Sequence, residues 1–302
     1  MAGLPRSGST LISSILSQNP KIHSGPSSPV TGIMWHLENF LLNDELFLAN
    51  PKQEQMGNLI SSVILHHYSD IEKEIIIDKN RSWVSRPNYI QGYLGTEPKI
   101  IVPVRKIDEI LASFIAMHRR NPIDLTIGKI NFIDRELIKR DIPLTDENRC
   151  AWIAGPEGIL GQSINAIREL LVSGNQNILH FVDYEDLMNS PKETIDAIYD
   201  FIGEEHFEHD FENIENLNKE RDEEVYGFAD MHDVRSSLGR SGINPEDYLS
   251  EQVIQACVGM NFWKDLEPIQ DFQEDQDEIN SMYEQSQESD LDEDDSVKTI
   301  GA

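Results

Sequence analysis

The segment from Gly3 to Thr10, with the sequence GLPRSGST, combines two glycines with side chains that can bind an anion. Glycine lets backbone N–H groups approach a phosphate closely. Further donors are the hydroxyls of Ser7, Ser9 and Thr10 and the permanently charged guanidinium of Arg6. A phosphate loop of the G-x-x-x-x-G-K-[ST] type has a lysine where this chain has Ser9. The segment therefore predicts an anion-binding loop without the triphosphate lysine, and the alternative is a Gly/Ser turn that caps a helix.

The elements that must position this loop alternate between strand and helix patterns. Apolar residues at helical spacing follow the loop until Asn19-Pro20 ends them, so the loop leads directly into a helix. Short apolar runs predict strands buried on both faces of a parallel sheet at residues 74–78, 99–105 and 177–182, and helical patterns lie at 107–118, 161–171 and 191–202. The alternation predicts a P-loop-like three-layer α/β/α fold with a central, mostly parallel sheet and ligands at the carboxyl ends of its strands.

Both ends of the chain depart from this pattern. Only Met1 and Ala2 precede the loop, whereas a phosphate loop normally follows a buried strand. We expect either a very short first strand or a sequence that begins a few residues late. At the other end, residues 265–302 carry 14 acidic side chains against Lys298 alone. Because such a segment cannot bury enough apolar surface to offset the entropy of ordering, we predict a folded domain over residues 1–264 and an acidic disordered tail over 265–302.

Composition narrows the classes of function. The chain of 302 residues is 39% apolar, which is ample for a core, and its net charge is −29. That charge disfavours nucleic-acid binding, which needs clustered Lys and Arg. Cys150 and Cys257 lack metal-ligand spacing, and the sequence shows neither a signal peptide nor an apolar run of about 18 residues that would span a membrane. We expect a soluble, cytoplasmic protein without a metal site, and its oligomeric state stays open.

Together with the helix and Gln18-Asn19-Pro20 behind it, the loop resembles the 5′-phosphosulfate loop of sulfotransferases that use 3′-phosphoadenosine 5′-phosphosulfate (PAPS). It is most similar to the bacterial and phage-type members and to the tyrosylprotein sulfotransferases. The resemblance implies PAPS as cofactor and 3′-phosphoadenosine 5′-phosphate (PAP) as product. It also implies a cofactor-binding loop formed by Pro5, Arg6, Ser7, Gly8, Ser9 and Thr10.

Arg105 and Ser113, eight positions apart, have the spacing of the family's 3′-phosphate site. Two helical turns keep the Ser113 side chain on the side of the helix start, so its hydroxyl is expected to join the Arg105 guanidinium at one phosphate. The alternative is a strand-end arginine in a surface ion pair.

Three further segments match the family in order and spacing. The resemblance implies that Tyr184, in Asp-Tyr-Glu-Asp-Leu, lies beside the adenine and that Lys79, in Asp-Lys-Asn-Arg, approaches the sulfuryl group. A rim aromatic and a solvated charged loop are the respective alternatives. In the late segment, which begins at Met231, Arg235 and Arg240 are candidates for the 3′-phosphate.

The general base is missing from both places that the family uses. Cytosolic members have a histidine two residues after the strand-end lysine, where this chain has Arg81. Tyrosylprotein members have a glutamate after a glycine, whereas Gly25 is followed by Pro26 here. His36 and Glu38 are nearby in the sequence and have side chains that accept protons. For both, the alternative is an ordinary position on a helix surface.

The resemblance implies a PAPS-dependent sulfotransferase that moves a sulfuryl group to a hydroxyl or amine by in-line displacement. Arg6 and Lys79 would then be catalytic, because they neutralise charge on the leaving and transferring groups. The acceptor is a small molecule, a peptide or a saccharide, held by segments 24–47 and 121–149, and the acidic composition disfavours heparan-like polyanions. The alternatives are a catalytically silent nucleotide-binding protein and a P-loop kinase or NTPase with an altered loop.

Overall fold

The computed structural model describes residues 1–266, except residues 125, 127, 217 and 218. Within that range, Met1–Lys264 form one compact unit. The predicted acidic tail, from residue 267 onward, lies outside the described residues. No helix in the described ranges is long and apolar enough to cross a membrane.

In the described part of the chain, four strands form two parallel pairs in a mixed α/β structure. They are β1 (Ile22–Ser27), β2 (Ile75–Lys79), β3 (Ile100–Val104) and β4 (Leu179–Asp183). β1 pairs with β2, and β3 pairs with β4. The three predicted strands are confirmed within two residues of their bounds. β3 is buried at every position, as predicted, whereas β2 and β4 are only partly buried.

The residues before the loop connect the two pairs of strands. Main-chain hydrogen bonds join them to β2 and its end on one side and to β3 on the other: Met1 N to Asp78 O (2.6 Å), Asn80 N to Met1 O (3.1 Å), Ala2 N to Ile101 O (2.8 Å) and Leu4 N to Pro103 O (2.9 Å). Residues 1–4 thus lie between β2 and β3, where the sequence predicted either a very short first strand or a late start, and the rest of the loop follows them.

Gly3 fits the close approach of this segment to β3. A Cβ at Gly3 would lie 2.1 Å from the carbonyl oxygen of Pro103 and 2.6 Å from its nitrogen. Pro103 has no N–H to donate, so the ladder lacks one hydrogen bond at this point. Only a glycine leaves room for the proline-containing strand beside the segment.

Thirteen helices surround the strands. They are α1 (Ser9–Leu16), α2 (Val30–Asn43), α3 (Glu45–Ala49), α4 (Gln53–His67), α5 (Pro87–Tyr89), α6 (Ile107–Arg120), α7 (Phe132–Lys139), α8 (Asp146–Ala154), α9 (Ile159–Val172), α10 (Tyr184–Asn189), α11 (Pro191–Ile202), α12 (Asp222–Tyr226) and α13 (Glu251–Ala256), all among the described residues. The helix predicted after the loop is α1. The other predicted helices are α6, α9 and α11, and each of these three is confirmed within two residues of its predicted bounds.

The core anchors α1 and, through it, the loop. Ile12, Ile15 and Leu16 are fully buried and belong to one apolar cluster with Ile198 and Tyr199 of α11. Burial of one such side chain contributes roughly 1.5–3 kcal/mol. The start of α1, where the loop ends, is therefore held on a rigid support.

Candidate functional site

A cleft of about 1140 Å³ opens at the carboxyl ends of the strands. Its lining combines the loop, the residues that follow β1, β2, β3 and β4, and a late segment at 230–243. Parallel strands bring their carboxyl ends to one edge, and this is where an open α/β sheet binds its ligands. The cleft therefore lies where the sequence analysis expects a ligand.

The loop presents backbone donors to this cleft. Gly8 has a φ of +92°, a left-handed conformation that favours glycine, and it caps α1 without a side-chain hydrogen bond. The first N–H groups of α1 have no partner within the helix, so they can donate to an anion at its positive end. Arg6 also has a positive φ, of +58°, a backbone strain of the kind that clusters at functional sites.

Ser7 holds the loop closed. Its side chain is fully buried, and its hydroxyl donates to the carbonyl oxygen of Leu4 at 2.6 Å. The hydroxyl is therefore used inside the protein and is not a donor to the cleft, unlike the sequence expectation. Pro5, Gly8, Ser9 and Thr10 do line the cleft.

Cationic side chains dominate the charge of the cleft. Six of them line it, Arg6, Lys79, Arg81, Arg105, Arg120 and Arg235, against the carboxylates of Asp230 and Asp233. Burial, and then the like charges of Arg105 and Arg120, lower the pKa of Arg6 to about 10. Arg6 stays protonated at neutral pH, so this lowered pKa means that its charge lacks full compensation. A bound anion would supply that compensation.

Arg6 of the loop contacts both residues that were predicted to bind the 3′-phosphate, Arg105 and Ser113. Arg6 Nε donates to Ser113 Oγ at 3.3 Å, and an Arg6 terminal nitrogen donates to the carbonyl oxygen of Met231. Arg105 donates to Glu109 Oε2 at 2.8 Å. Ser113 therefore contacts Arg6 in the free protein, and both Ser113 and Arg105 line the cleft, so their joint contact with one phosphate stays a prediction.

Arg105 is also held by an aromatic ring and by the late segment. Its guanidinium lies 4.3 Å from the ring centroid of Tyr184, and it donates to Ser241 Oγ at 3.1 Å. The Tyr184 ring passes close to Gly8, where a Cβ would approach it to 3.1 Å. Tyr184 thus lines the cleft between the loop and Arg105, and its adenine contact stays a prediction.

Lys79, the last residue of β2, is buried beside the start of α1. Its ammonium lies 3.4 Å from Thr10 Oγ1 and 3.6 Å from Glu220 Oε1. Burial lowers the pKa of Lys79, and the neighbouring carboxylate of Glu220 opposes that shift. The solvated loop considered for Lys79 is wrong, because only 7% of its side chain is exposed.

The two arginines of the late segment differ in position. Arg235 lines the cleft and donates to the carbonyl oxygens of Arg240 (2.6 Å) and Ser241 (2.9 Å). Arg240 donates to Asn189 Oδ1 at 2.9 Å and is not among the residues that line the cleft. The structure thus brings Arg235 to the predicted cofactor residues and leaves Arg240 at the surface.

Neither predicted base reaches the cleft. His36 is exposed on α2 beside Trp35, and Glu38 accepts hydrogen bonds from the hydroxyls of Tyr89 and Tyr93. Neither lines the cleft. Both therefore lie apart from the loop, in the helical positions that were the alternative.

Sequence reasoning missed a titratable cluster on the other side of Lys79. His232 lines the cleft, its Nδ1 lies 2.6 Å from Asp222 Oδ1, and Glu220 is 3.5 Å away. In the segment around His232, the sequence pointed to Arg235 and not to the histidine. A histidine with a carboxylate ten positions before it carries no periodic signal, so only the folded chain shows the pair.

A mixed α/β fold with a cationic cleft at its strand ends and a glycine-rich loop before a helix is typical of proteins with phosphate-binding sites. The comparison with known families makes the class specific. The model of the "Sulfotransferase family" matches residues 1–209. This chain belongs to the sulfotransferase family, as its resemblance implied.

Solved sulfotransferase structures are similar to the chain at low sequence identity. The sulfotransferase domain of the Synechococcus PCC 7002 olefin synthase is 16% identical, with 93% of this chain and 92% of that chain covered and a TM-score of 0.45. The domain from the curacin biosynthetic pathway is 15% identical, with 94% and 98% covered and a TM-score of 0.42. The sulfotransferase from Alicyclobacillus acidocaldarius is 16% identical, with 70% and 82% covered and a TM-score of 0.41. No curated protein sequence matches.

Proposed function

We propose that this chain transfers a sulfuryl group from PAPS to a hydroxyl or amine acceptor. The observation that carries the proposal is the cleft with six cationic side chains, built around the loop of a protein whose net charge is −29. In so acidic a chain, a concentration of positive charge marks an anion site. PAPS carries anionic groups at both its 5′ and 3′ positions.

The loop and Arg6 would bind the 5′-phosphosulfate. The first N–H groups of α1 have no partner within the helix and would donate to this anion, and the lowered pKa of Arg6 indicates a charge that an anion stabilises. As the acceptor attacks sulfur and the bond to the 5′-phosphate breaks, negative charge develops on the leaving phosphate. Arg6 and Lys79 lie beside the loop, where they would stabilise that charge.

Arg105 would bind the 3′-phosphate. It lines the cleft beside the loop, and its contact with the Tyr184 ring orients a guanidinium that binds phosphate through two parallel hydrogen bonds. Ser113 then acts by positioning Arg6, which it contacts at 3.3 Å. Arg235 would join the 3′-phosphate from the late segment.

The acceptor would enter past an aromatic wall. Phe132 and Tyr226 line the cleft with their ring centroids 6.4 Å apart, and Ile159 lies in the same lining. These side chains favour an acceptor whose hydroxyl or amine is attached to an apolar or aromatic body. Phe132 lies in one of the two segments that the sequence analysis assigned to the acceptor.

The proposal extends to the fold. The segment at 1–4 acts as the central strand between β2 and β3, so that the two pairs of strands form one P-loop-like parallel sheet. The folded domain ends near residue 264, and the acidic residues 265–302 form a disordered tail.

Thermal unfolding with nucleotides tests the cofactor assignment. A ligand that binds only the folded state raises its stability by mass action. We expect PAP to raise the melting temperature without Mg²⁺ and by more than ATP does at equal concentration. A larger shift with ATP that depends on Mg²⁺ would favour the kinase or NTPase alternative. Binding of PAP without turnover of PAPS would favour the silent nucleotide-binding alternative.

A further inference from the structure

His232 lines the cleft and directly follows a residue whose backbone contacts Arg6. The carbonyl oxygen of the preceding residue, Met231, accepts a hydrogen bond from the Arg6 guanidinium. The backbone of His232 is fixed on both sides, because its N–H donates to Asp222 Oδ2 at 2.8 Å and its carbonyl accepts from Asn216 Nδ2 at 3.0 Å. The imidazole thus has a defined position in the lining of the cleft.

Asp222 also sets the tautomer of His232. Its Oδ1 lies 2.6 Å from His232 Nδ1, and this side-chain carboxylate is nearly buried. A carboxylate only accepts hydrogen bonds, so the neutral imidazole carries its proton on Nδ1 and leaves the lone pair of Nε2 free. The described residues show no hydrogen bond to Nε2. Such a histidine can take a proton from a group in the cleft.

The carboxylate of Glu220 lies between His232 and Lys79, the residue predicted to approach the sulfuryl group. Glu220 lies 3.5 Å from His232 Nδ1 with one oxygen and 3.6 Å from the Lys79 ammonium with the other. Lys79 in turn contacts Thr10 of the loop at 3.4 Å. The titratable side chain of Tyr226 completes the surroundings, with its ring 5.7 Å from that of His232. Two carboxylates facing one histidine stabilise the imidazolium that proton transfer would create.

We propose that His232 is the general base of sulfuryl transfer and that Asp222 is its positioning residue. This inference rests on the proposed function. The acceptor oxygen forms a bond to sulfur while its proton passes to His232 Nε2. The bond between sulfur and the bridging oxygen of the 5′-phosphate breaks, and the electron pair leaves on PAP. The imidazolium then releases the proton to water.

The test compares His232→Asn with the parent, because asparagine keeps a donor for Asp222 and removes the base. We expect kcat to fall by about 100–10,000-fold, the usual range for loss of a general base. PAP should raise the melting temperature of His232→Asn as much as that of the parent, since His232 does not bind the nucleotide. His66→Asn is the matched control, because His66 is exposed on α4 and its ring contacts the carbonyl oxygen of Ser62 in the same helix, and it should keep the parent's kcat.

The pH profile separates a base from a structural histidine. In the parent, kcat should fall towards low pH as the imidazole is protonated, and this decline should be absent from the residual activity of His232→Asn. Asp222→Asn should lower kcat at least about 10-fold, because it disturbs the tautomer and removes a charge that stabilises the imidazolium. It should leave the PAP-induced shift unchanged, because Asp222 acts on His232 and not on the nucleotide.

Three results would overturn the inference. Unchanged kcat in His232→Asn, with an active parent, removes the base and leaves the sulfotransferase proposal standing. Activity that EDTA abolishes and a divalent cation restores would assign Glu220, Asp222 and His232 to a metal ion. A parent that binds PAP and transfers no sulfuryl group to any acceptor would overturn both proposals.

Discussion

Replacement of Arg6 by alanine should remove most of the stabilisation that PAP gives, with little effect on the free protein. In the free protein, burial and the charges of Arg105 and Arg120 lower the pKa of Arg6 to about 10. A cation whose pKa is lower in the folded state than in the unfolded state reduces stability at every pH below the folded pKa. Its removal relieves that cost, which offsets the lost hydrogen bonds to Ser113 and Met231.

The size of the effect follows from the size of the domain. Unfolding entropy of about 2.1 cal/mol/K per residue gives about 0.55 kcal/mol/K for the compact unit Met1–Lys264. PAP at 100 times its Kd stabilises by about 2.7 kcal/mol and so raises Tm by about 5 °C. A charge-assisted hydrogen bond from Arg6 contributes about 2 kcal/mol to binding, so the same PAP concentration should raise the Tm of Arg6→Ala by only about 1–2 °C.

Differential scanning fluorimetry with a PAP titration measures both quantities. Arg135→Ala is a suitable control, because Arg135 is exposed on α7 and does not line the cleft. It should show the full shift of the parent. A PAP shift in Arg6→Ala as large as in the parent would refute the assignment of Arg6 to the cofactor. A free Arg6→Ala protein that melts more than about 5 °C below the parent would refute the argument from uncompensated charge.

Two further predictions concern the fold. Gly3→Ala should lower the free energy of unfolding by about 3 kcal/mol, because its Cβ would meet backbone atoms of β3. Gly57→Ala, in the middle of α4, should raise the free energy of unfolding by up to about 1 kcal/mol, because nothing lies within 4 Å of its Cβ. Chemical denaturation measures both, and equal effects would contradict the close packing at Gly3. Burial raises the pKa of Cys150 to about 12 and that of Cys257 to about 11. Neither thiol should therefore react with a thiol reagent at pH 8 until the protein unfolds. Fast labelling of the native protein would contradict this burial.

Sequence patterns predict those parts of the site that local chemistry determines. The loop and α1 follow from glycine, hydroxyl and apolar spacing, and Lys79 and Arg105 stand at the ends of apolar runs that are strands. β1 escapes prediction because its sequence, IHSGPS, has one large apolar residue and a Gly-Pro pair, and its strand conformation comes from pairing with β2.

The remaining part of the site depends on contacts between distant segments. The hydrogen bond from Arg6 to Ser113 joins residues 107 positions apart. The Ser7 hydroxyl donates to the carbonyl oxygen of Leu4 in a turn that residue propensities do not predict. Glu220, Asp222 and His232 lie in a stretch without apolar periodicity, so their approach to Lys79 is visible only in the folded chain. For the same reason, His36 and Glu38, which are near the loop in sequence, are not near it in the cleft.

Transfer of label from radiolabelled PAPS to a panel of phenols, alcohols and amines, by the parent and by Arg6→Ala, measures sulfuryl transfer itself. We expect a labelled product with the parent, formed without added metal, and a rate with Arg6→Ala that is lower by about 10-fold or more, because Arg6 stabilises charge on the leaving phosphate. Transfer at the same rate by both proteins, or label that stays entirely on the nucleotide with the parent, would contradict this expectation.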